Sequence, residues 1–229
     1  MKISASARRP SPLAPATLLL RQLFCALCLA ALAVAVHAQA PSAAPVEGRD
    51  YTRLDPPQPR EAAGKVEVVF FFGYWCPHCN EFDPGFTDWS KKQAADVNIR
   101  HVPIAFADNQ VPLQRLYYVL DSLGKESELR SRVFAAIHND HNPLNTIELQ
   151  TAFAQQNGID PKKFADLYNS FSVQTKVRQA TQMAQNYGVD AIPFVTVDGK
   201  YHLGEQRNAF NILDYLVANE RKGIVAGKT

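Results

Sequence analysis

The strongest apolar run after residue 38 is Val66-Glu67-Val68-Val69-Phe70-Phe71-Phe72. Its near-continuous hydrophobicity predicts a central strand covered on both faces. A helix is predicted next, with Pro77 at its first position, where a missing N–H costs nothing, and with Phe82, Phe86 and Trp89 on one face. Pro84 falls inside that pattern and is expected to kink it. Val97, Ile99, Val102 and Ile104 mark a second strand over 97–105.

A long helical stretch follows with no strand in it. Leu113, Leu116, Tyr117 and Leu120 share one face up to Gly124, and Leu129, Val133, Phe134 and Ile137 share another. Asn145 with Glu148 makes a capping-box pattern for a short helix ending at Gly158. Asp160-Pro161 starts the next, with Phe164, Leu167, Tyr168 and Phe171 inward. Ser172 is expected to cap a longer helix carrying Val173, Val177, Ala180, Ala184 and Tyr187, stopped by Gly188. Such helices should pack as a small bundle. The strand pattern returns at Phe194, Val195 and Val197, turns at Asp198-Gly199 and continues through Tyr201 and Leu203. A last helix over 208–219 is expected to bury Phe210, Leu213 and Leu216 or Val217. Without the helical block the pattern is a small α/β sheet; the block is an insertion about half the usual length of a domain.

Residues 39–64 are rich in Ala and Pro and read as a flexible leader, with an edge strand at Tyr51–Leu54 stopped by Asp55-Pro56-Pro57. The N-terminus reads as an export signal: Arg8, Arg9 and Arg21 supply positive charge, Leu23 to Val36 is uninterrupted apolar sequence, and Val36-His37-Ala38 suits cleavage after Ala38. The competing reading, a retained membrane anchor, needs a longer apolar run. The chain of 229 residues is 46% hydrophobic and carries a formal net charge of +2. Lys2, Arg8, Arg9 and Arg21 lie in the first 38 residues, which hold no acid; setting them aside leaves 20 basic against 22 acidic residues. A near-neutral remainder gives no reason to expect nucleic acid as a partner.

Cleavage would also remove Cys25 and Cys28, leaving Cys76-Pro77-His78-Cys79 as the only cysteine pair. Two cysteines so close together form too small a loop to stabilise a fold much, so chemistry explains them better. Cys76 is expected at a helix N-terminus, where unpaired N–H groups and the helix dipole favour a thiolate. His78 is positioned to add charge or a hydrogen bond. Cys79, one turn further in, is expected to be the buried resolving thiol. Ala191-Ile192-Pro193 precedes a strand, and a cis bond there could bring Ile192 beside Cys76 and leave an edge for a substrate segment. Tyr74 and Trp75 are candidates for an apolar substrate rim, the alternative being that they simply pack, and Pro77 is a further substrate-contact candidate.

Cys76-Pro77-His78-Cys79 after an aromatic strand, Ile192-Pro193 before Phe194–Val197, Asp198-Gly199-Lys200-Tyr201 and Asn169-Ser170-Phe171-Ser172-Val173 together resemble the DsbA family of exported thiol oxidases. The resemblance covers 51–219. It implies an α/β thioredoxin fold with an inserted all-helical domain, the insertion being 111–176 between thioredoxin-like segments 65–110 and 177–221. It further implies a cis Pro193 facing the cysteines as part of the catalytic set Cys76, Cys79, His78 and Pro193, with Pro77, Ile192, Tyr74 and Trp75 touching substrate. No metal or other cofactor is implied. The implied partners are unfolded or newly exported cysteine-containing proteins and a membrane oxidase of DsbB type, with the protein acting as a periplasmic monomer. Many relatives carry a buried Glu six residues before the first cysteine; here that position is Phe70, and strand alternation points Glu67 to the opposite face.

Other chemistries compete. A reductase or isomerase could use the same fold. A metal carrier needs more ligands than two thiols and His78. A peptide-holding module would use the apolar rim without turnover. His138-Asn139-Asp140-His141 reads as a polar loop rather than a metal cluster, and His101 and His202 as ordinary polar strand positions.

Overall fold

The computed structural model describes residues 44–204 and 207–226. The expected export signal, its cleavage site and the Cys25–Cys28 pair lie outside the described residues. The elements are β1 (Tyr51–Arg53), β2 (Val66–Phe72), α1 (Pro77–Ser90), β3 (Val97–Pro103), a single 3₁₀ turn, α2 (Val111–Ser122), α3 (Glu126–His138), α4 (Ile147–Gln156), α5 (Pro161–Tyr168), α6 (Phe171–Asn186), β4 (Phe194–Val197), β5 (Tyr201–Leu203) and α7 (Ala209–Val225). The five strands form one sheet in the order β1-β5-β4-β2-β3. β2 runs parallel to β3 and antiparallel to β4.

Every residue of β2 is buried. Val68, Phe70 and Phe72 face one core with Phe86 of α1, Leu116 of α2, Phe134 of α3 and Leu213 of α7. Val69 and Phe71 face a second core with Ala180 and Ala184 of α6, Tyr187 and Phe194. The two-sided burial read from the sequence is therefore literal, and the side-chain alternation of the strand decides which layer each residue joins. Phe70 sits among Phe72, Phe82, Phe86 and His101, with ring centroids 4.8–5.8 Å away. Glu67 points the other way and is also fully buried. Its carboxylate accepts from Asn98 Nδ2 at 3.1 Å and lies 3.6 Å from Arg100 Nη1.

α1 holds Pro84 inside it and runs on to Ser90. Several local expectations are corrected. The cap of α4 is Thr146, whose hydroxyl accepts from the Leu149 N–H, rather than Asn145. Ser170, not Ser172, caps α6, because its hydroxyl accepts from the Val173 N–H at 3.2 Å. α7 extends beyond residue 219 to Val225, and Arg221 in its last turns forms a two-pronged pair with Asp96. The stretch after β1 is fastened down: Leu54 N donates to Lys200 O at 2.8 Å and Gln58 N to Gly199 O at 2.7 Å. The Asp198-Gly199 turn forms as expected, with φ of +58° and +63°. A Cβ on Gly199 would stand 2.1 Å from the Gln58 carbonyl oxygen, so only glycine fits there.

His101 and His202 are not ordinary polar positions. His101 is ringed by Phe70, Phe72 and Phe86. Burial, helped by the nearby Arg130 charge, lowers its pKa well below the usual histidine value. His202 stacks on Phe194 with centroids 3.7 Å apart, and burial lowers its pKa too.

The aromatic surroundings of Phe70 set an expectation for mutagenesis. Phe70→Ala should cost about 3–5 kcal/mol in denaturant unfolding, as deletion of a buried aromatic does. Phe70→Glu should also destabilise the fold, because it buries a carboxylate among the rings of Phe72, Phe82 and Phe86 with His101 as the polar neighbour. Equal midpoints for wild type and Phe70→Glu would contradict this packing.

Candidate active site

The end of β2 delivers the chain to the site. Gly73 permits the close turn: a Cβ there would stand 2.4 Å from Trp75 Nε1. Cys76 is the N-cap of α1 in extended conformation (φ −90°, ψ 119°), Pro77 takes the first helical position, and no side chain caps the helix. The helix N-terminus is thus left to the Cys76 sulfur. Cys79 lies one turn further in. Both are free thiols; Cys76 is 5% exposed and Cys79 fully buried.

The pair is strongly differentiated. The Cys76 thiol is lowered to about 6. The largest cause is its hydrogen bond with Cys79; burial opposes ionisation, and the N–H groups of Cys79 and His78 and the charge of His78 favour it. Cys79 is pushed far up, first by burial and then by its bond to Cys76. His78 is largely exposed, with Nδ1 3.4 Å from Glu81 Oε2.

The Ile192–Pro193 bond is cis. The Cys76 thiol donates to Ile192 O across 3.6 Å, so the loop before β4 stands directly against the reactive sulfur. Residues 116 positions apart in the chain therefore meet at one point. Pro77 is exposed, while Ile192, Pro193 and Trp75 are half-buried. Trp75 Nε1 donates to Ile104 O at 3.3 Å, and its ring meets that of Phe106, which is 48% exposed. Phe106 was not anticipated as part of this apolar margin.

Tyr74 is a correction. It is 1% exposed and takes no part in a surface rim. Its hydroxyl donates to Glu126 Oε1 at 2.9 Å, and its carbonyl lies 2.8 Å from His138 Nε2. His138 thus anchors the backbone just before the motif. Among the described residues, no three His, Cys, Asp or Glu side chains are grouped to hold a metal.

Behind the cysteines lies a charged cluster that the sequence reading passed over. Arg130 Nη1 donates to Asp83 Oδ1 at 3.3 Å and Nη2 donates to Glu126 Oε2. All three side chains are 6–8% exposed. The signal was present: Asp83 follows Cys79 by four residues on the apolar face of α1, and Glu126 and Arg130 sit at i, i+4 beside Leu129 and Val133.

The acidity of Cys76 fixes a pH response. Thiolate absorbance of the reduced protein should titrate with a midpoint near 6; a midpoint near the ordinary cysteine value of about 8.5 would contradict the geometry. A depressed pKa stabilises the folded dithiol form above the unfolded value, and that stability is lost as pH falls through the folded value. The stability of the reduced protein relative to the disulfide form should therefore rise between about pH 6 and pH 8.5. His78→Ala should move the titration midpoint upward.

Comparison with known proteins gives the same direction. The family model described as "DSBA-like thioredoxin domain" matches residues 106–216, a segment that starts after the cysteine pair. The Burkholderia cepacia "Thiol:disulfide interchange protein DsbA" is 41% identical over 186 residues, 79% of this chain and 88% of that protein. The Bordetella parapertussis protein of the same name is 36% identical, covering 87% of this chain and 98% of that one. The crystal structure of Pseudomonas aeruginosa DsbA superposes with a TM-score of 0.74 at 34% identity, covering 81% of this chain and 97% of that one. With a thioredoxin-like sheet, a helical insertion and a polarised cysteine pair already in place, these likenesses extend over most of the chain, and the protein belongs to the DsbA family of thiol:disulfide oxidoreductases.

Proposed function

We propose that this protein oxidises newly exported, cysteine-containing proteins by donating a Cys76–Cys79 disulfide through a mixed disulfide on Cys76. The observation that carries this reading is the split between the two thiols: a stabilised Cys76 thiolate beside a suppressed Cys79. Stabilising the reduced form makes the disulfide a better oxidant.

The steps follow from that split. A substrate thiolate attacks Cys76 Sγ in the disulfide form; the S–S bond breaks, and Cys79 leaves with the electron pair and takes up a proton. A second substrate thiolate then attacks the substrate sulfur of the mixed disulfide. The substrate disulfide forms and Cys76 departs as a thiolate. Only Cys76 needs to be a good leaving group in this second step, and only it has the helix N-terminus to stabilise it. Pro193 and Ile192 place backbone beside the reacting sulfur, and Pro77, Trp75 and Phe106 offer the apolar margin for the substrate chain.

The wider setting belongs to the same proposal. The protein works in the periplasm after cleavage following Ala38, as a monomer, and is reoxidised by a membrane protein of DsbB type. The helical insertion at 111–176 divides the thioredoxin-like parts at 65–110 and 177–221.

Equilibration with glutathione tests the direction of electron flow. The expected result is an oxidising couple; a poise as reducing as that of thioredoxin would assign the protein to reduction instead. Cys79→Ser, with Cys76 first charged as a mixed disulfide with a small aromatic thiol, should exchange that thiol for a reduced, unfolded substrate and hold the new mixed disulfide long enough to be seen by mass, whereas Cys76→Ser should abolish turnover. Retention of function in Cys76→Ser would favour a peptide-holding module.

A further inference from the structure

Tyr74 and Asp83 stand on either side of the redox motif, two residues before Cys76 and four after Cys79. Both are held by one helix of the insertion. Glu126 receives the Tyr74 hydroxyl on Oε1, and Arg130 bridges Glu126 Oε2 and Asp83 Oδ1. A buried ion cluster of this kind is weak evidence for stability, since apolar side chains of similar volume often serve as well or better. Its position suggests another use.

Asp83 shares a helical face with Cys79, one turn away. Two carboxylates against one guanidinium leave an excess negative charge beneath the resolving thiol when all three are ionised. The groups around this cluster are Cys79 and Thr87 on α1, Glu126 and Arg130 on α3, Tyr117 on α2, His101 on β3 and Tyr74 in the turn after β2. His101, kept neutral by burial, adds no cation to offset the excess. The Arg130 guanidinium also lies over the Phe72 ring at 5.8 Å, which fixes it from a second side.

We propose that Asp83, held in place by Arg130 and Glu126 of the insertion, is a positioning residue that keeps Cys79 protonated and so prolongs the mixed disulfide. This rests on the mixed-disulfide reading above. The mixed disulfide has two fates. In the productive one, a second substrate thiolate forms the substrate disulfide and expels Cys76. In the abortive one, Cys79 loses its proton and attacks Cys76 Sγ. The Cys76–Cys79 bond reforms, and the substrate leaves as the reduced thiolate it was at entry. A carboxylate beneath Cys79 opposes the deprotonation that begins the abortive route. It also adds to the burial that already raises the Cys79 thiol. From the mixed disulfide onward the productive route does not require Cys79 to ionise, so that step is untouched; the entry step, in which Cys79 leaves with the electron pair, is opposed by the same charge.

Glutathione, with a single thiol, isolates the abortive route. The protein carrying glutathione on Cys76 is followed for glutathione release across pH 5–9. In Asp83→Asn, release near pH 7 should accelerate, by about threefold for each unit by which Cys79 becomes more acidic. The pH profile should move down accordingly. Glu126→Gln, which keeps the hydrogen-bonding shape and removes the other negative charge, should shift release in the same direction by less. Asp83→Glu should restore the wild-type profile. If Asp83→Asn does not fold, Glu126→Gln carries the test alone. Release that is unchanged or slower, in a variant with a native circular dichroism spectrum, overturns the proposal. Release is measured without any protein substrate, so a failure to oxidise exported proteins would leave this result readable.

Discussion

The burial of β2 on both faces is the constraint on which the other features depend. A strand apolar on both faces apart from Glu67 has to be covered twice, and the chain does so with α1, α7 and the insertion on one side and α6 on the other. With the strand clamped, its last residue fixes where the polypeptide emerges. Gly73 turns it, and Cys76 arrives at the first turn of α1 with no choice of position. β4, paired antiparallel to the same strand, brings the Ile192 carbonyl to Cys76 from the other end of the sequence. The reactive pair is therefore placed by the sheet, while its chemistry is tuned by the helix terminus and by burial.

Polarisation of the two thiols arises from depth. Cys76 sits where N–H groups are unpaired and a solvent-facing histidine is near; at Cys79, one turn inward, burial outweighs the backbone hydrogen bond with Gly73. The same backbone thus makes one sulfur acidic and the other inert. No buried carboxylate from β2 contributes, since Phe70 fills that space with an aromatic ring. The carboxylates instead enter from α1 and α3, as Asp83 and Glu126, tied by Arg130.

Much of this was legible in the sequence. The seven-residue run of β2, the helical spacings, the Asp198-Gly199 turn and the cysteine motif each carry a local signal, and each element formed where that signal lay. Long-range facts were legible only through resemblance: no local rule brings Ile192 to Cys76. Errors arose where two local rules competed. Tyr74 beside Trp75 read as a surface pair, but a partner 52 residues away on α3 draws its hydroxyl inward. Ser172 was read as the cap of α6, but the helix starts earlier and backbone geometry puts Ser170 at the cap. His101 looked polar in isolation and is caged by rings from β2 and α1. Asp83 and Arg130 were overlooked because each is an ordinary helix residue until the two helices meet.

α6 has a mechanical consequence. Val173 near its start packs into the core shared with the other helices, while Ala180 and Ala184 near its end pack under the sheet. A single unbroken rod is therefore embedded in both cores. Any hinge between sheet and insertion would have to bend or break its backbone hydrogen bonds, so the joint on that side is stiff. Forces from a docked chain on the insertion should pass along this rod to the sheet as rigid-body strain instead of being lost in a flexible linker.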